Sequence, residues 1–186
     1  DILVESYPPK LMTDLGLDYS SLAAINEKLI VTSITPFGQS GPYRDYKATD
    51  LVTFHIGGIG YPTPGDVEDP ESNPPLKLSG HQAHIMAGVT AASGTMSALF
   101  ARDFTGRGQH VEVSEQESLV RAIGGAVVSH VNRGETPTRI AGMGRPIAAA
   151  KSILAKDGYF NIMFFQDHFW ESMKHAMGNP EWMDGE

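Results

Sequence analysis

The stretch SGHQAHIMAG, residues 79–88, sets His81 and His84 three positions apart at the entrance to a long run of small and apolar residues. Residues three apart share one face of a helix. The two imidazoles could therefore serve as metal ligands, as acid–base groups, or as polar residues at the edge of a core. A catalytic zinc site takes three protein ligands and keeps a fourth position open. HQAH supplies two and has no zincin glutamate between them, so no metal is expected. On the residue types alone, a substrate-facing role and a plain helix-entrance role stand level.

Other polar groups are candidates with equally plain alternatives. In FGQSGPYRDYK, residues 37–47, Gly38 and Gly41 leave backbone amides open, and Arg44 and Lys47 carry charge that suits phosphate. The simpler reading of that stretch is an exposed loop. TGRGQ, residues 105–109, lacks the Lys-Ser/Thr ending of a phosphate loop and leads into a strand, so it reads as a tight turn. Asp50 and Glu115 are candidate carboxylate catalysts, although acidic residues at such places commonly cap helices.

The elements that must position these groups alternate. DILVES and KLIVTSITPFG read as strands, the second β-branched and apolar like a buried parallel strand. Between them a Pro pair opens a short helix that Gly16 ends, and Ser20 or Ser21 is expected to cap the next helix. TDLVTFHI reads as a helix stopped by Gly57 and Gly58. From Gly80 to Arg102 small and apolar residues recur at helical spacing, which predicts a deeply buried helix approached closely by another. An alternating strand, a returning helix, a Gly-rich connection, a hairpin about Asp157 and Gly158 and a last amphipathic helix follow. The fold class is α/β.

The chain has 186 residues, 41% of them hydrophobic and 19% charged, which is the composition of a globular protein. The net charge of −8 argues against a general nucleic-acid partner. No apolar run approaches the roughly 20 residues of a membrane span. With no cysteine, thiolate nucleophiles, disulfides and Cys-based metal sites are excluded, which fits a cytoplasmic protein.

Taken in order, several segments resemble the class III CoA-transferases, the CaiB/BaiF group. DILVESYPPKLMTDLGLD is similar to the family's strand and turn "D-hydrophobic-hydrophobic-E-N-F-R-P-G" followed by LGL. SITPFGQSGPYRDYKATD is similar to its GFG-x-x-GP loop and following Asp. AGVTAASGTMSALFARDFTGRGQHVEVSEQE is similar to ALxxRxxTGxGQxVxVS, and KDGYFNIMFFQDHFWESMKHAMGNPEW to its later DG hairpin and Trp helix. The resemblance spans essentially the whole chain. It implies a central portion of the family's domain, with a nucleotide-binding-like part before it and a C-terminal part after it. Within that portion, residues 1–60 are expected to end the nucleotide-binding-like domain. Residues 61–140 would hold a loop, the long helix and a linker, and 141–186 would start a smaller domain. The resemblance also implies an interlocked homodimer.

In that family an Asp at the start of the helix before TGxGQ attacks the acyl-CoA thioester and passes through a mixed anhydride and an aspartyl-CoA thioester. Counting back from Thr105, that position is His84. An imidazole cannot become a carboxyl-CoA thioester; it can act as a base or form a short-lived acyl-imidazole. The family's racemases pair the Asp with a His just before the residue matching Asp50; here that neighbour is Thr49. Family N-F-R becomes Ser6, Tyr7 and Pro8, which keeps an aromatic for the adenine at Tyr7 and loses the Arg. Lys47 matches a lysine that meets CoA phosphate, and Gly142 and Gly144 fall near the family's Gly-rich active-site loop. The resemblance thus implies CoA transfer between an acyl-CoA and a carboxylic acid acceptor, with CoA as substrate and no tightly bound cofactor. The alternatives are a degenerate CoA-binding half or an acyl-CoA hydrolase.

Overall fold

The most β-branched run of the chain, IVTSIT, forms β2 (Ile30–Thr35) at the centre of a three-stranded parallel sheet. Its neighbours are β1 (Ile2–Glu5), with Ile2 opposite Ile30, and β3 (His110–Ser114), with His110 opposite Val31. A central parallel strand is covered on both faces, which is why five of its six residues are buried and the run does not alternate. The computed structural model describes residues 1–63, 69, 71–136, 152–161 and 166–184. It divides into two units, 1–143 and 144–186.

The crossover from β1 to β2 carries α1 (Pro9–Asp14) and α2 (Tyr19–Ile25). Pro9 sits in the first turn of α1, where its missing N–H costs nothing, and Gly16 follows the helix at φ +67°. The cap of α2 is Asp18, not Ser20 or Ser21 as expected. Its carboxylate accepts from the Ser21 amide and from both serine hydroxyls, so one acceptor group serves three donors. The two serine hydroxyls, Ser20 first, hold the Asp18 carboxyl down to about 2.

The crossover from β2 to β3 carries α3 (Asp50–Ile56), which stops at Gly57, and α4 (Gln82–Thr105), which stops at Gly106 with φ +71°. The returning helix predicted after β3 is three pieces: α5 (Glu115–Val120), a 3-10 turn over Arg121–Ile123, and α6 (Gly124–Arg133). The interruption comes just before the Gly124–Gly125 pair, the weakest helix-forming point of the segment, which opens α6.

Helix α4 is buried along one stripe only, Ala83, Ala87, Ala91, Thr95 and Ala98, and Ile85, Val89, Met96, Phe100 and Phe104 are exposed. Helix α4 thus meets the expected deep burial and close helix contact on that stripe only, where its Ala83 packs with Phe54 of α3 and Leu119 of α5. Its small residues serve close contact with the sheet: Ala87 and Ala91 pack on Val113, and a Cβ on Gly94 would lie 2.8 Å from Val111 Cγ1. The Thr32 and Thr95 hydroxyls meet at 2.7 Å across this interface. Strand residues alternate sides, so Ser33 faces the other way. There its hydroxyl meets His110 Nε2 at 2.9 Å, and the His110 ring stacks on Tyr19 of α2. Both faces of the sheet are thus covered, as in a doubly wound α/β unit.

The second unit contains the predicted hairpin, β4 (Ser152–Leu154) antiparallel to β5 (Tyr159–Asn161), and α7 (Asp167–Ala176). The Trp170 indole donates to the Met183 carbonyl at 3.4 Å.

Candidate functional site

In an open parallel sheet the strands' carboxyl ends and the amino ends of the following helices lie on one edge, where ligands of such folds bind. Three chain segments converge there. Asp50 opens α3, His84 lies in the first turn of α4, and Glu115 follows directly on β3. Beneath them Phe54, Ala83 and Leu119 form a buried cluster, flanked by Ile59 and Met86. A Cβ on Gly57 would lie 2.5 Å from Leu119 Cδ1, so this glycine lets α3 close onto α5.

Helix α4 is capped from outside its own sequence. His81 occupies the cap position without a capping bond, and Asp50 Oδ1 accepts the amides of Ala83 and His84 at 2.9 and 3.2 Å. The other carboxylate oxygen, Oδ2, meets Lys77 Nζ at 2.8 Å. Lys77 also donates to the carbonyls of Leu78 and Gly80 and lies 5.7 Å from the centre of the Phe54 ring, which ties the preceding loop to the helix start. Burial alone would push the Asp50 carboxyl up, but the Lys77 ammonium and the His84 amide outweigh it and hold the group below its ordinary value.

His84 projects from this start with its side chain 49% exposed. Its Nε2 lies 3.5 Å from Glu115 Oε1, and its ring stacks on His81 at 5.7 Å between centres. Glu115 is 9% exposed, and its Oε2 has no hydrogen-bond partner among the described residues. Glu115 does not cap α5, because Ser114 does so by accepting the Glu117 amide at 3.2 Å. The capping explanation thus holds for Asp50, on a neighbouring helix, and fails for Glu115.

Asp50, His81 and His84 offer one ligand-type atom each within 4.8 Å of one another, so the fold supplies the third group that HQAH lacks. The carboxylate is already occupied on both oxygens, by two amides and an ammonium. A cation there would have to displace Lys77 and face the positive end of a 24-residue helix, so the cluster is poorly suited to hold a metal.

Tyr7 follows β1 on the same edge. It is exposed, and its amide donates to Glu5 Oε2 at 2.8 Å. Lys47 is exposed three residues ahead of Asp50. Gly142 and Gly144 lie outside the described residues. The site therefore joins His84 with Asp50 and Glu115, and adds Lys77, which sequence reasoning passed over. Its only sequence signal is that it is the one lysine or arginine between Lys47 and Arg102.

The chain is similar to known proteins throughout its length. CoA-transferase family III matches residues 1–186, the whole chain. The acetyl-CoA:oxalate CoA-transferase of Acetobacter aceti is 32% identical over 186 residues, covering 97% of this chain and 46% of that protein. A subunit of the succinyl-CoA:(R)-benzylsuccinate CoA-transferase of Thauera aromatica is 32% identical, covering 88% and 38% respectively. A crystal structure of a CaiB/BaiF family protein from Brucella suis superposes with a TM-score of 0.73 at 29% identity, covering all of this chain and 48% of that one. The chain thus spans less than half the length of these relatives, and its mixed α/β architecture with a parallel sheet is theirs. It belongs to CoA-transferase family III.

Proposed function

We propose that the chain is the part of a CoA-transferase that carries the acyl-accepting position, transferring CoA between an acyl-CoA and a carboxylic acid. The observation that carries this reading is His84. In a chain matched throughout to the family, a half-exposed imidazole with buried carboxylates behind it stands at the start of α4. In this reading His84 attacks the thioester carbonyl and expels CoA thiolate, leaving an acyl-imidazole. The acceptor carboxylate displaces the imidazole to give a mixed anhydride. The thiolate then attacks the acceptor's carbonyl, so that CoA moves and the donor acid leaves.

Tyr7 would lie against the adenine, Lys47 would meet a CoA phosphate, and Gly142 and Gly144 would belong to the family's Gly-rich loop near the ligand. The substrate is CoA thioester and acid, with no tightly bound cofactor and no nucleic-acid partner. In a chain of net charge −8, Lys47 supplies local positive charge at this loop, whereas Arg44 pairs with Asp45 at 3.1 Å. No helix among the described residues is long and apolar enough to cross a membrane. We assign the protein to the cytoplasm as a homodimer, with the exposed apolar stripe of α4 as the surface that a partner covers.

The test is CoA exchange in the full protein. Acetyl-, succinyl- and formyl-CoA are each incubated with isotopically labelled oxalate, succinate and malate, and new CoA thioesters are read by mass spectrometry. Labelled acid appearing in a CoA thioester supports the reading. CoA binding without exchange for any pair would favour a degenerate binding half.

A further inference from the structure

A buried carboxylate with one oxygen left without a partner is costly, and in a native protein it calls for a reason. Glu115 is such a group, and the ring it faces is the one at the acyl-accepting position. With Nε2 turned to Glu115 Oε1, Nδ1 is the nitrogen of His84 left free to take a proton. The stacked His81 ring limits rotation of the imidazole from one side. A carboxylate fixing one ring nitrogen while the other does the chemistry is the arrangement by which an imidazole becomes a general base.

We propose that this site has a further activity, hydrolysis of acyl-CoA thioesters, in which His84 is the general base and Glu115 its positioning residue. The inference rests on the acyl-CoA reading above and names water as a second acceptor. His84 Nδ1 takes one proton from water as the oxygen adds to the thioester carbonyl carbon. The carbon–sulfur bond then breaks with its electron pair on sulfur, and the imidazolium returns the proton to that thiolate. Water and acyl-CoA give the free acid and free CoA, with no other reactant. Glu115 stabilises the transient imidazolium without itself being protonated. A carboxylate at position 84 would divert the acyl group into an anhydride, whereas an imidazole serves water as readily as acid.

The experiment uses the full protein with acetyl-, succinyl- and formyl-CoA and no acid acceptor, and follows free thiol with a thiol-reactive dye in H218O. Equilibrium binding of CoA is measured alongside. Expected are thiol release above the buffer rate, one labelled oxygen in the acid, and loss of release in His84→Gln. Glu115→Gln should lower kcat roughly 10- to 100-fold, with KM within about threefold, and Glu115→Asp should recover part of the loss. As a readout independent of turnover, nitrogen NMR of His84 at about pH 8, where an ordinary imidazole is neutral, should show the Nε2–H tautomer in the wild type. Glu115→Ala should lose that bias. CoA binding without thiol release, or release that needs an acid acceptor, overturns hydrolysis and leaves transfer standing. Absence of CoA binding overturns the parent reading and this inference together. A Glu115→Gln protein with unchanged kcat, or one whose loss Asp does not recover while the His84 tautomer stays as in the wild type, removes Glu115 from the positioning role.

Discussion

Asp50 does two jobs with one carboxylate. Oδ1 takes the first free amides of α4 and Oδ2 holds Lys77, so the helix start that presents His84 depends on a residue 33 positions upstream of the nearer amide. Replacing Asp50 with Asn keeps an acceptor for the amides but leaves the Lys77 ammonium, on a side chain 24% exposed, without its carboxylate. The expected loss is about 2–4 kcal/mol of stability, measurable by urea unfolding. Because the Asp50 carboxyl is held below its ordinary value of 3.8, it favours the folded state at every pH above that value. That contribution is lost as pH falls through the lowered folded value. The difference between wild type and Asp50→Asn should therefore be full at neutral pH and shrink below about pH 3.8. A difference that does not change with acid would mean that Lys77 and the amides do not hold the charged form. Of these residues, His84 was singled out by the family resemblance, which places the family's Asp at this distance before Thr105. The Lys77–Asp50 pair and the His84–Glu115 contact could not be picked out, because both are made by the fold between distant segments.

At the scale of elements, the strands and helix limits were legible where local chemistry decides them. Pro9, Gly16, Gly57 and Gly106 punctuate helices by backbone preference, and β2 reads as buried because it is mostly β-branched and carries no charge. What α4 packs against was not legible, since a run of Ala, Gly and Ser permits close approach without saying whether a sheet or a helix arrives. The turn before β3 shows the same division. Gly108 was expected as a turn residue, yet its requirement comes from across the sheet. A Cβ there would lie 1.9 Å from the Leu29 carbonyl oxygen, and its amide donates to the Glu27 carbonyl at 2.8 Å. Gly108→Ala should therefore push the β2–β3 edge apart. A fall in melting temperature of several degrees is expected, read by differential scanning calorimetry. An unchanged melting temperature would mean that the strand start yields without strain.

At the scale of the whole molecule, α4 leaves an apolar stripe exposed. Ile85, Val89, Met96, Phe100 and Phe104 follow one another at spacings of four and seven residues along the helix. If a partner subunit covers it, Phe100→Glu in the full protein should lower the dimer fraction by an order of magnitude or more in light scattering after size exclusion, since a buried unpaired charge is costly. A dimer unaffected by this change would place the interface elsewhere. Family membership was legible in the sequence because its motifs recur in order over nearly the entire chain, although each is short. The course of the chain near Gly142 and Gly144 falls outside the described residues, so their role rests on the resemblance alone.

The central claim is that His84 is the group that meets the acyl carbon or activates the acceptor. Its most direct test is the total rate of acyl-CoA consumption, exchange plus free-CoA release, by the wild type and His84→Gln, at saturating succinyl-CoA with and without acid. The substitution should lower the total by roughly 100-fold or more while CoA affinity changes little. A variant that retains its rate within about threefold would move the chemistry away from the start of α4.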